Sequence, residues 1–73
     1  MNKINYDDLL FTVPEASKIL KVEQKTVRNL IAKGFLQALK LGRVKIRKVE
    51  IERFLQWSQG KDLTDLNNVK ELN

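Results

Sequence analysis

A mainly helical fold carrying one small β-hairpin, in the order helix, tight turn, helix, hairpin, helix, is what this 73-residue sequence predicts. Three observations carry the prediction. Apolar residues recur at 3/4 spacing in two neighbouring segments, residues 13–21 and 24–34, with only the short break "KVE" (21–23) at their junction. The stretch "ALKLGRVKIRK" (38–48) then alternates with period two about a glycine. "VEIERFLQWSQG" follows at once and returns to the helical period.

The first helix is expected over 13–21. Thr12 stands three residues before Glu15, the spacing of a capping box in which hydroxyl and carboxylate each satisfy the other's backbone N–H. Pro14 falls in the first turn, where a missing N–H costs nothing. Val13, Ala16, Ile19 and Leu20 are expected on the inner face. "KVE" (21–23) breaks the pattern, and "QKTVRNLIAKG" resumes it with Val27, Leu30 and Ile31 inward and Gly34 as the stop. Opposite that stripe, at about 100° per residue, stand Lys25, Arg28, Asn29 and Lys33, none of them apolar or acidic.

In the hairpin, "GR" (42–43) reads as a two-residue type II′ turn. That turn pairs Leu41 with Val44, Lys40 with Lys45, Leu39 with Ile46 and Ala38 with Arg47, placing every aliphatic on one face and every cation on the other. "LFT" (10–12) could supply a third strand. In the last helix Ile51, Phe54, Leu55 and Ser58 face inward, Glu50 and Glu52 fall in the first turn, Trp57 packs at the edge and Gly60 ends it. The expected organisation is an N-terminal extension (1–8), a domain (9–59) and a tail (60–73) that reads as a marginal helix, a partner-binding segment through Leu63, Leu66 and Leu72, or frayed chain.

Charge is segregated. The net charge is +5, yet residues 16–48 carry ten Lys/Arg against the single acid Glu23, while the remainder is net acidic. Such a pattern is the footprint of a nucleic-acid reader. Five cations on one ribbon, Lys40, Arg43, Lys45, Arg47 and Lys48, repel one another unless a polyanion is near. A duplex backbone, with one charge per about 1.7 Å, turns that cost into attraction.

Helix, turn, helix, basic ribbon and helix is the order of a winged helix-turn-helix, whose second helix enters the DNA major groove. Lys25, Arg28 and Asn29 have the chemistry to contact base edges there, Arg pairing with guanine and Asn with adenine. Lys21, Thr26 and Lys33 are the candidate backbone contacts. The five ribbon cations form the wing, with Arg43 at the tip suited to the minor groove.

"LLFTVPEASKILKVEQKTVRNLIAKGFL" and "LKLGRVKIRKVEIERFL", residues 9–57, resemble the small excisionase-type helix-turn-helix family, related to the MerR-like DNA-binding domain. The resemblance implies a winged helix that binds duplex DNA and, with an integrase or recombinase as partner and further copies on adjacent sites, drives excision of a mobile element. It also implies a cytoplasmic location, nucleoid-associated or phage-encoded. Lys25, Arg28 and Asn29 match the family's recognition-helix positions, and Lys40, Arg43 and Lys45 its wing. Three positions depart from the family: Lys21 stands where Gly is usual, Glu23 replaces a Ser cap, and the wing turn is one residue short.

Other classes fit less well. The chain has no His and no Cys, and its acids are dispersed, so neither a catalytic centre nor a metal site is expected, and no cofactor. Its lone Tyr6 makes no nucleophile constellation. The longest apolar run, "LLF", falls far short of the ~20 residues of a membrane span, and "MNKINYDD" lacks the apolar stretch of a secretory signal. A small transcriptional repressor with the same fold is the alternative function, and an adaptor for an acidic protein a more distant one.

Overall fold

The computed structural model describes residues 9–72, so the expected extension 1–8, with Tyr6, Asp7 and Asp8, lies outside the described residues. Eight elements follow one another: β1 (Leu10–Thr12), α1 (Val13–Leu20), α2 (Gln24–Ala32), β2 (Leu39–Leu41), β3 (Arg43–Arg47), α3 (Lys48–Ser58), β4 (Lys61–Asp62) and β5 (Lys70–Glu71). Helices, ribbon and order are those of a winged helix-turn-helix.

Thr12 caps α1 as its spacing requires. Its hydroxyl accepts the Glu15 N–H at 3.3 Å, and the Glu15 carboxylate accepts the Thr12 N–H at 2.8 Å. The Thr12 N–H, and the Thr12 hydroxyl donating to the same carboxylate at 3.0 Å, hold the Glu15 carboxyl below its ordinary pKa, with Lys45 and Lys18 adding a smaller electrostatic pull. Val13 and Ala16 are buried against Val27 and Leu30 of α2, and Leu36, Ile46, Ile51 and Phe54 complete the core. Ile19 does not join them. It is 44% exposed, whereas Ser17 is buried and donates its hydroxyl to the Pro14 carbonyl at 2.7 Å. The inner face of α1 is therefore centred on 13, 16, 17 and 20 rather than on 19. Leu55 is likewise exposed at 47%, because only Ile51 and Phe54 of α3 face the core squarely.

"LFT" is a strand. It pairs antiparallel with β3, Phe11 opposite Ile46 and Thr12 opposite Lys45, giving a three-stranded sheet in the order β1-β3-β2. The register expected for β2 is wrong by one residue: Leu39 lies opposite Lys45, Lys40 opposite Val44 and Leu41 opposite Arg43, about Gly42 at φ 73°. The reason lies in the central strand. Packing of fully buried Ile46 against the core fixes the faces of β3, whereas β2 is a three-residue edge with only Leu39 part-buried, so the hydrophobic pattern holds its register weakly. The observed register also separates Lys40 from Lys45, removing the like-charge pair that a two-residue turn imposes. Cations and aliphatics consequently do not sort onto opposite faces.

The tail is neither helix nor frayed chain. β4 and β5 pair, Lys61 with Glu71 and Asp62 with Lys70. Leu63 and Leu66 pack against the core, and Leu72 is left 65% exposed. Asp62 stabilises the start of the loop by accepting from the Thr64 N–H and hydroxyl, which holds its carboxyl below the usual range. Trp57 sits at the edge of α3 as expected, its ring 5.7 Å from that of Phe35 and 6.3 Å from that of Phe54. Lys61 of the tail lies over the Trp57 ring at 5.0 Å.

Candidate nucleic-acid interface

Two local devices aim α2. At its start, Lys21 adopts the left-handed conformation (φ 58°, ψ 43°), and the N–H groups of Lys21 and Val22 both return to the Ser17 carbonyl. A Lys thus performs the turn ordinarily given to Gly, at a conformational cost on the order of 1 kcal/mol. Glu23 is the N-cap of α2 but its side chain makes no capping bond, as a carboxylate replacing Ser suggested. At the other end Phe35 N–H bonds the Leu30 carbonyl (2.9 Å) and Gly34 N–H the Ile31 carbonyl (3.1 Å), a Schellman ending with Gly34 at φ 84°.

A clamp then holds the connection from α2 to the ribbon. Arg53 donates through Nε and Nη2 to the two oxygens of Glu50 (2.8 and 2.7 Å), and its Nη2 also reaches the Phe35 carbonyl at 2.9 Å. Glu50 in turn accepts the Gln37 N–H at 2.8 Å. The Arg53 hydrogen bond, partly opposed by desolvation and assisted by the Gln37 N–H, keeps the Glu50 carboxyl below its ordinary range. With Leu36 buried between them, this clamp fixes where β2 leaves the helical body.

Lys25, Arg28 and Asn29 are all exposed along one arc of α2. Arg28 lines an open cleft together with Lys40, Arg43 and Val44 of the ribbon and with Thr12, Val13 and Pro14 at the start of α1. The helix and the wing tip therefore present their cations to the same side of the molecule. Lys21 and Thr26 share a shallow hollow at the turn with Lys18, a cation that the sequence reading passed over. Its position in the last turn of α1 is the signal that could have found it.

The remaining cations are placed differently from expectation. Lys33 is exposed and donates to Asn67 Oδ1 at 3.1 Å, joining the end of α2 to the tail loop. Lys45 is half-buried between Thr12 and Leu39. Arg47 pairs with Leu10 and stands at the N-cap position of α3 without a side-chain capping bond, and Lys48 belongs to α3, not to the ribbon, its N–H bonded to the Leu9 carbonyl at 3.1 Å. The chain enters α3 directly from β3, so these two cations stand at the base of the wing, away from its tip. The free part of the wing is short and carries Lys40 and Arg43.

A fold of this order, with a basic helix and ribbon on one side, defines a winged helix-turn-helix module. A family model described as a helix-turn-helix domain matches residues 10–56, well over half of the chain, and the protein belongs to that family. Membership supports sequence-specific DNA binding by the helix-turn-helix. Neither the curated proteins nor the solved structures contain a match. Among the described residues, no helix is long and apolar enough to cross a membrane.

Proposed function

We propose that the protein is an excisionase-type DNA-binding protein that lays α2 in the major groove of a duplex and its wing on the adjoining backbone and minor groove. The observation that carries the reading is the cleft lined jointly by Arg28, Lys40 and Arg43. In it Arg28 is the reader of base edges, with Lys25 and Asn29 beside it, and the wing cations meet phosphates. Lys21 before α2, Thr26 in its first turn and Lys33 at its end are further phosphate contacts. The resemblance of residues 9–57 to excisionase-type proteins is what suggests the role in recombination, with an integrase as partner and further copies on neighbouring sites, although a repressor would use the same fold. An 8.5 kDa module buries limited surface on its own, which favours such assembly.

Binding is tested by fluorescence anisotropy on a duplex that the protein selects from a random pool. Log affinity falls with log salt by about 0.9 for each phosphate neutralised. A flat salt response contradicts DNA binding and favours an acidic protein partner. The role is tested in cells carrying a plasmid with the element's two attachment sites and its recombinase. Excised circles rise on expression of the chain if it is an excisionase. Unchanged recombination accompanied by silencing of a promoter reporter assigns it to transcriptional repression instead.

A further inference from the structure

The one-residue difference in ribbon register has a chemical result. It leaves Leu41 opposite Arg43 at the very tip, with Gly42 alone between them. Leu41 is 67% exposed, the most exposed large hydrophobic side chain among the described residues. Leu72, at 65%, is nearly as exposed but adjoins Glu71, in a tail whose three acids outnumber its two lysines. Leu41 is instead set between Lys40 and Arg43, in the most cationic part of the chain.

The ribbon also carries Leu41 beyond the body of the sheet. β1 ends where Thr12 meets Lys45, so the tip extends about two residues, roughly 7 Å at strand rise, past the last residue that β1 pairs, with Val44 still packed on the body and Leu41 beyond it exposed. Lys40 and Arg43 line the cleft shared with Arg28, so a duplex that receives α2 in its major groove also runs past this tip, and on the same face of that duplex the next minor groove is centred about half a helical turn, roughly 17 Å, along the axis. There the neighbouring minor groove faces the protein. Cations on either side draw phosphates toward the tip, and the group they deliver between the two strands is an isobutyl side chain.

We propose that Leu41 is an apolar wedge, inserted by the wing into a minor-groove base step next to the site read by α2. The inference rests on the DNA-binding reading above and adds a specific interaction to it. Leucine is among the side chains able to part stacked bases from the minor groove, which kinks the duplex toward the major groove. Unstacking is easiest at pyrimidine–purine steps, so the wedge adds selectivity at a position where no hydrogen bond reads the base. It gives so small a module a way to bend DNA.

The test uses the full chain and the duplex it selects from a random pool, with 2-aminopurine substituted singly at the adenines flanking the α2 site. Binding brightens the probe severalfold at one pyrimidine–purine step about half a turn from the α2 contacts. Leu41→Ala still binds within a few-fold and abolishes the brightening, whereas Leu41→Met, which keeps a wedge of similar size, retains it. Tight binding by the wild type with no brightening at any step overturns the wedge and leaves DNA binding intact. So does equal brightening by Leu41→Ala. Absence of salt-sensitive binding to any duplex overturns the DNA reading and the wedge together.

Discussion

The helix pair and the ribbon are built on different terms. α1 and α2 meet through side chains that retain no more than 5% exposure, and both ends of the turn between them are tied by backbone bonds. The ribbon contributes one fully buried side chain, Ile46, and beyond Lys45 it has no strand on its outer side. The helix proposed to read base edges is thus packed on the core along its inner face, while the tip proposed to meet the backbone and minor groove is packed far less. The Glu50–Arg53 clamp lies between the two and ties the ribbon's root, at Phe35 and Gln37, to α3.

A single substitution made in both regions gives the largest contrast. Leu30→Ala opens a cavity in the helix pair and removes roughly 2–5 kcal/mol, close to the whole stability expected of so small a domain. Leu41→Ala leaves stability within about 0.5 kcal/mol, as expected at an exposed position. Urea unfolding followed by circular dichroism measures both. Equal losses would mean that the tip is part of the core.

Binding divides the same way. Arg28→Ala costs about 1–3 kcal/mol on the selected duplex and narrows its advantage over random DNA. Lys40→Ala weakens every sequence alike and lowers the salt slope by about one. Anisotropy titrations at several salt concentrations separate the two outcomes.

The clamp gives a smaller, pH-dependent effect. Glu50 has its pKa lowered in the fold, so its contribution is present above the ordinary glutamate range and is lost as pH falls through the lowered value. Glu50→Gln is expected to cost roughly 1 kcal/mol at neutral pH, with the deficit closing in acid as the wild-type carboxyl protonates. Thermal unfolding of both proteins across that window measures it. Smallest of all is Lys21→Gly, which relieves the left-handed backbone and stabilises by about 0.5 kcal/mol, net of the glycine's entropy, while reducing the salt slope through loss of a cation.

The helix pair was legible in the sequence because its signals are local. Thr12, Glu15, Pro14 and Gly34 act within one turn of where they stand; the left-handed backbone of Lys21 is not a local signal, since only the family resemblance, with Gly usual at that position, pointed to it. The ribbon was legible in existence and charge but not in register. A short edge strand takes its pairing from what anchors the strand beside it, here Ile46 facing Phe11, and no pattern within 38–48 contains that information. The clamp escaped for a related reason: Glu50 and Arg53 show the spacing of an ion pair, but their targets, Gln37 and Phe35, lie 13 and 18 residues away in the chain. The tail carried too few apolar residues to declare a hairpin, and its order depends on Leu63 and Leu66 finding the core.

The claim that most depends on this geometry is that α2 and the wing tip engage one duplex at once, and a nitrogen-15 NMR titration with the selected duplex tests it residue by residue. Amides of residues 25–29 and of 40–44 should shift together with the same midpoint, while those of Val49, Glu52 and Gln56 on the outer side of α3 stay in place. Shifts confined to 25–29, with the ribbon silent at saturation, would contradict it.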